Sequence, residues 1–260
     1  MRPLFFILIC GVLGMLAVAC LPVASLSEPP PTDTPSPPTQ TPSPTIIWFP
    51  PTATLTPLPM ASPSISPTLN TQPEYGELIF EDDFSDAAAW MTGNTGSGSI
   101  SSGKNELTLA VKRPNGYLYS LLTGIRPANF YAEVTASPTL CRDGDEYGIL
   151  LRFTSEADFY RFSLTCNGQV RLDKLYQGKA SSPQSLTPSG AVPRGAPSSS
   201  RLAVLADGRD LQFYVNDEYQ FSVRDPSLTA GNLGVFARAE GDGAVTVNFS
   251  DLKVYQVGGN

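Results

Sequence analysis

Glu146-Tyr147-Gly148-Ile149-Leu150-Leu151-Arg152-Phe153 is followed shortly by Phe159-Tyr160-Arg161-Phe162-Ser163-Leu164-Thr165-Cys166-Asn167-Gly168-Gln169-Val170-Arg171-Leu172-Asp173. Each run is short, rich in aromatic and branched residues, and bounded by turn-forming ones, the pattern of successive antiparallel strands. Alternation assigns Ile149, Leu151, Phe153, Tyr160, Phe162 and Leu164 to a buried face. Leu150, Arg152, Arg161, Ser163, Arg171 and Asp173 fall on the other side. Asn167-Gly168 predicts a two-residue type I′ hairpin, and a turn near Glu156 joins the first two runs.

The same texture extends from Glu74 to Val257. Leu107-Thr108-Leu109-Ala110-Val111, Phe130–Ala136 and Leu211–Asn216 alternate, and Asp207-Gly208 and Asn216-Asp217 supply further turns. No run of ten or more residues carries helical periodicity. Roughly a dozen strands in about 185 residues imply a two-sheet antiparallel jelly-roll sandwich, an all-β fold. Ala180 to Ser200 is rich in Ser, Pro and Gly and reads as a surface loop. Cys141 and Cys166 are an even pair and predict a disulfide. With Tyr147–Phe153 paired to Phe159–Thr165, Cys166 falls opposite Glu146, so Cys141–Asp145 has to curl back to close the bridge.

Upstream, the chain reads as an export signal and a tether. Leu4 to Val18 is apolar but short for a bilayer span, and it ends in Leu16-Ala17-Val18-Ala19-Cys20. This resembles the lipobox of bacterial lipoproteins, which implies cleavage after Ala19 and lipidation of Cys20. Plain secretion with a free Cys20 is the rival reading, and an uncleaved anchor a third. Residues 20–73 are dense in Pro, Thr and Ser, a composition that cannot build a packed core and that favours extended, disordered chain. Some fifty such residues reach on the order of 150 Å when fully extended. The domain organisation expected is therefore signal 1–19, tether 20–73 and folded domain 74–260. Ile46-Ile47-Trp48-Phe49 interrupts the tether and carries no assigned role.

Composition narrows the chemistry. The net charge of −7 argues against nucleic acid as a partner. Histidine is absent, which removes Ser-His-Asp and Cys-His catalysis and histidine metal sites together.

Three stretches resemble the concanavalin A-like lectin/glucanase sandwiches, especially the laminin-G-like and 3-keto-disaccharide hydrolase-type branch. They are Ile79-Phe80-Glu81-Asp82-Asp83-Phe84 with Trp90; the Glu146–Phe153 and Phe159–Leu164 hairpin; and Gly231-Asn232-Leu233-Gly234 with Val247-Asn248-Phe249-Ser250-Asp251. The resemblance covers nearly all of Glu77 to Tyr255. It implies the sandwich fold, with sugars bound on the outer face of one curved sheet in those members that bind them. Such a face holds Tyr131, Glu133, Arg152, Arg161, Arg171 and Asp173 here, an aromatic with guanidinium and carboxylate groups suited to hydroxyl-rich ligands. The plainer reading of these residues is a solvated face with charge pairs such as Glu133 with Arg152. The resemblance also implies a structural Ca²⁺ near the first and last strands, for which Asp82, Asp83 and Asp251 are placed, with backbone oxygens completing the shell. Asp143-Gly144-Asp145-Glu146 is a second acidic cluster without EF-hand spacing. Trp90 reads as a core anchor.

Catalysis on this fold needs two carboxylates about 5–10 Å apart. The Glu-x-Asp-x-x-Glu string of the glucanases is missing, and Glu133 stands alone on its strand, so the candidate pair is Glu133 with Asp173. Three functions stay open. The first is a non-catalytic recognition module for a polysaccharide or glycan, held outside the cell membrane by a lipid anchor. The second is a glycoside-processing hydrolase, and the third a laminin-G-like structural or protein-interaction module.

Overall fold

The computed structural model describes residues 75–258. The signal 1–19, Cys20, the tether 20–73 and the Ile46–Phe49 patch lie outside the described residues. Among the described residues fifteen strands follow one another, with a single 3₁₀ turn at Ala87–Ala89. They are β1 Leu78–Asp82, β2 Gly93–Thr95, β3 Gly98–Ser102, β4 Leu107–Val111, β5 Tyr117–Leu121, β6 Phe130–Leu140, β7 Glu146–Ser155 and β8 Asp158–Thr165. Then come β9 Gln169–Tyr176, β10 Lys179–Pro188, β11 Ser200–Asp207, β12 Asp210–Val215, β13 Glu218–Arg224, β14 Asn232–Arg238 and β15 Val245–Gln256.

All pairings are antiparallel and form two sheets. One has nine strands in the order β13-β12-β11-β6-β15-β4-β3-β2, with β1 also on β15; the other has six, β10-β9-β8-β7-β14-β5. The fold is the expected all-β two-sheet sandwich. Its core lies between the sheets, where Leu107, Leu109 and Val111 of β4 and Phe130, Ala132, Val134 and Ala136 of β6 face Tyr147, Ile149, Leu151, Tyr160, Phe162 and Leu164. Phe162 meets Phe213 of the opposite sheet with ring centroids 4.8 Å apart. Burying side chains of this size contributes about 1.5–3 kcal/mol each. Trp90 anchors the entry to the core: it packs on Phe84 at 4.8 Å, and its Nε1–H donates to Asp82 at 2.6 Å.

Several expectations are corrected. Ala180–Ser200 is not all loop, because β10 adds an edge strand to the six-stranded sheet. Its side chains are mostly exposed and its pairing shifts register twice, so no alternation marked it, and an edge tolerates Pro183. The β8–β9 connection is a three-residue loop, Cys166-Asn167-Gly168; only Gly168 takes a positive φ, of 87°, whereas a type I′ turn needs two. Asn216 and Asp217 both do so, at 51° and 67°, between β12 and β13. The Cys141–Cys166 bridge is formed, with Cα atoms 5.9 Å apart. Thr165, not Cys166, lies opposite Glu146, and the Cys166 N–H donates to the Asp145 carbonyl at 3.0 Å.

The largest correction concerns Arg152. Opposite Leu233, β7 carries two residues, Leu151 and Arg152, and Arg152 has φ 51°: a bulge. The extra residue resets the alternation. Phe153 turns to the outer face, and Arg152 turns away from it and is fully buried. Its guanidinium donates to the carbonyls of Leu228 (2.8 Å), Ala128 (3.0 Å) and Gly208 (2.7 Å), so it ties three loops together. Its role is that of a clamp.

Candidate functional site

The register of the six-stranded sheet places its outward side chains in rows. The first is Tyr117–Arg238–Glu146–Thr165, and the second Tyr119–Phe236–Gly148–Ser163–Arg171. Leu121–Gly234–Leu150–Arg161–Asp173 is the third, and Asn232–Phe153 with Phe159–Leu175 the fourth. The sequence places Arg161, Arg171 and Asp173 on this face together, and the structure does the same.

Gly148 shapes the centre. A Cβ there would stand 2.0 Å from the Phe162 carbonyl oxygen and 3.2 Å from the Phe236 ring. With no side chain at Gly148, Arg161 lies diagonally across the space. Its guanidinium carbon is 5.5 Å from the centroid of Phe236 and 5.8 Å from that of Tyr117. It roofs one side of the apolar cluster of Leu150, Phe153, Phe159 and Phe236 by lying over Phe236.

Beyond the roof runs a charge network. Arg161 bonds Asp173 at 2.6 Å and Arg171 bonds Glu146 at 2.7 Å. Arg171 also reaches Asp173 at 3.0 Å, Arg238 reaches Glu146 at 3.5 Å, and Ser182 donates to Asp173 at 2.6 Å. Burial works against the Arg161 charge, but Asp173 and Glu146 outweigh it and hold its pKa above the usual guanidinium value. Several polar atoms on this face are buried without a hydrogen bond: Tyr117 OH, Arg161 Nε, Arg171 Nε, Ser163 Oγ and Glu146 Oε2, the last keeping only longer ion-pair contacts to Arg238 and Arg161. Burial pushes the Tyr117 hydroxyl well above its ordinary pKa, with Arg161 opposing the shift.

On the other side of the roof the face opens into a cleft. Tyr117, Tyr119, Phe153, Phe159 and Glu156 line a hollow of about 240 Å³. Next to it, Met91–Thr95, Ser97, Tyr117, Tyr119 and Glu156 line another of about 390 Å³. The Tyr119 hydroxyl donates to Glu156 at 2.9 Å where the two meet. Tyr117, Tyr119, Phe153, Phe159, Glu156 and Arg238 were not among the sequence candidates. The alternating Tyr117-Leu118-Tyr119-Ser120-Leu121 could have revealed the two tyrosines, whereas the bulge at Arg152 hid Phe153.

Other sequence candidates sit elsewhere. Tyr131 and Glu133 belong to β6 and face outward from the nine-stranded sheet, the opposite side of the sandwich. Their strand neighbours Ala132 and Val134 fill the core, and Tyr131 OH donates to Glu133 at 3.4 Å. Glu133 therefore cannot act with Asp173 as a catalytic pair, and it does not pair with Arg152. Asp82, Asp83 and Asp251 line one open pocket with Glu81 and Ser85. Several of their oxygens accept hydrogen bonds: Asp82 from the N–H of Phe84 and the indole of Trp90, Asp83 from Ser85 N–H and Asn105, and one oxygen of Asp251 from Ser250. Among the described residues no three acidic or cysteine side chains are grouped closely enough to hold a metal ion by themselves.

No protein-family model matches the chain, and no curated protein is similar to it in sequence. Solved structures do resemble it. A Bacillus subtilis protein of unknown function with a galectin-like fold is 15% identical over 70% of this chain and 97% of its own, with a TM-score of 0.56. A structure from work on endo-acting O-glycanases of human gut bacteria that initiate mucin breakdown is 12% identical over 70% of this chain and all of its own, at 0.54. The apo Crh5 transglycosylase is 10% identical over 71% of this chain and 87% of its own, at 0.51. At such identities the likeness shows the sandwich fold alone.

Proposed function

We propose that the domain is a non-catalytic module that recognises a glycan chain through the outer face of its six-stranded sheet. The observation that carries this is the open cleft of Tyr117, Tyr119, Phe153 and Phe159 beside fixed guanidinium and carboxylate groups. Aromatic rings offer flat faces to sugar C–H groups, and the charged groups offer hydrogen bonds to hydroxyls. Structures of the same fold, one from work on O-glycanases and one of a transglycosylase, support a carbohydrate ligand. The non-catalytic part rests on a count of carboxylates. Hydrolysis needs two at the scissile bond, and Glu156 is the one carboxylate lining either hollow of the cleft. Glu146 and Asp173 are held by arginines beyond the Arg161 roof.

The setting we propose is the outer side of a cell membrane, with Cys20 lipidated and residues 20–73 as spacer. The Cys141–Cys166 bridge supports an oxidising compartment. A glycan array probed with the exported protein tests the ligand. Binding to at least one glycan, weakened about tenfold by Tyr119→Ala, is the expected result. An array without binding, or turnover of a bound glycan, would sink the reading. Metabolic labelling with a fatty acid, abolished by Cys20→Ser, tests the anchor.

A further inference from the structure

We infer that the glycan recognised is acidic, its carboxylate or sulfate group seated against Arg171, Arg161 and Arg238; this rests on the glycan reading above. Three guanidiniums converge on two carboxylates across β7, β8, β9 and β14, which leaves one positive charge among these five groups. That excess stands out in a chain of net charge −7.

The unpartnered atoms point the same way. Four of the five can donate, namely Tyr117 OH, Arg161 Nε, Arg171 Nε and Ser163 Oγ, and only Glu146 Oε2 is restricted to accepting. Ser163 is fully buried and faces outward between Gly148 and Arg171. A neutral hydroxyl brings a donor with every acceptor and leaves the surplus in place. A carboxylate or sulfate brings acceptors alone and matches the planar fork of a guanidinium. Arg238 is the freest of the three, with a side chain 36% exposed and a loose 3.5 Å contact to Glu146, so it can turn towards an incoming anion. The acidic side chains Asp143, Asp145, Glu240 and Asp242 line a separate pocket with Arg142.

The test uses the exported protein in 150 mM salt with polygalacturonate, hyaluronate, alginate and chondroitin sulfate. Each is paired with its carboxyl-reduced or desulfated form, and a set of neutral glucans is added. At least one acidic polymer should bind, about ten- to hundredfold more tightly than its neutralised form. Arg238→Gln should remove most of that difference without shifting the melting temperature. Preference lost on carboxyl reduction identifies a carboxylate, and preference lost on desulfation a sulfate. Equal binding of charged and neutralised forms, or binding of neutral glucans alone, overturns the acidic ligand and leaves the glycan reading standing. Binding of nothing overturns both. Should Arg238→Gln fold poorly, the salt dependence of the unaltered protein decides, since an anion contact weakens steadily with added salt.

Discussion

The two outer faces of the sandwich use tyrosine in opposite ways. On the nine-stranded sheet, Tyr75 stacks on Tyr131 with centroids 4.5 Å apart and planes 8° apart, and Tyr255 packs against Tyr75 at 4.5 Å. Tyr131 and Tyr214 are buried with Val257 in the same cluster, and their hydroxyls reach Glu133 and Gln212. Among the described residues, the buried polar side-chain atoms left without a hydrogen bond all lie in the core or on the six-stranded sheet. There, Tyr117 and Tyr119 stand at an edge strand over open space, next to donors with nothing to bond. The two faces differ less in aromatic content than in the buried hydrogen-bonding capacity left unmet on one of them.

The sharpest way to break this comparison is to fill the space at the centre of the six-stranded face. Gly148→Ala would drive a methyl group into the Phe162 carbonyl and the Phe236 ring, in mid-sheet, where backbone cannot give way. A loss of about 4 kcal/mol in urea unfolding is expected. A loss below about 1 kcal/mol would mean that the strands are not packed as described.

A reciprocal pair of variants compares the faces directly. Tyr75→Ala removes one member of a closed stack and should cost about 2 kcal/mol of stability, with glycan affinity unchanged. Tyr119→Ala removes a cleft wall and should reverse the pattern, costing about tenfold in affinity but less than about 1 kcal/mol in stability. Calorimetric melts and glycan titrations on both proteins give the four numbers. If Tyr75→Ala weakened binding as much as Tyr119→Ala, the separation of roles would fail.

Much of this face was legible in the residue pattern, because alternation is a local property. Arg161, Ser163, Arg171 and Asp173 follow from the period of two along β8 and β9, where nothing interrupts it. The same rule failed one strand earlier. The bulge at Arg152 inserts a single residue, and its cause is tertiary: the backbone at Gly231 packs against it, where a Cβ would stand 2.4 Å from the Arg152 carbonyl carbon. Which sheet a strand joins was equally hidden. The pattern shows that Tyr131 and Glu133 alternate with core residues, but β6 pairs with β11 and β15, far along the chain, and only that pairing places it opposite β7. Glu156 and Tyr119, distant in sequence, meet because the β7–β8 turn reaches the β5 edge. No local period encodes that.

The smallest effect concerns the joint between the faces. Lys174 of β9 donates to Asp225, just after β13, at 2.5 Å, and so ties the six-stranded sheet to the nine-stranded one. Burial raises the Asp225 pKa, but Lys174 and Ser227 outweigh it and hold the carboxyl at about 2. The ordinary unfolded value is near 3.9, so the stabilisation is complete above about pH 4 and is lost as pH falls towards 2. Solvent reaches the pair and screens part of it, which leaves about 1 kcal/mol to be lost. Asp225→Asn should therefore be less stable at pH 6, and its stability should fall less steeply than that of the parent protein between pH 4 and 2. Because the tie belongs to neither outer surface, glycan affinity at pH 6 should match the parent. A changed affinity would mean that the sheets shift against each other when untied, and the cleft would then depend on the far side of the molecule.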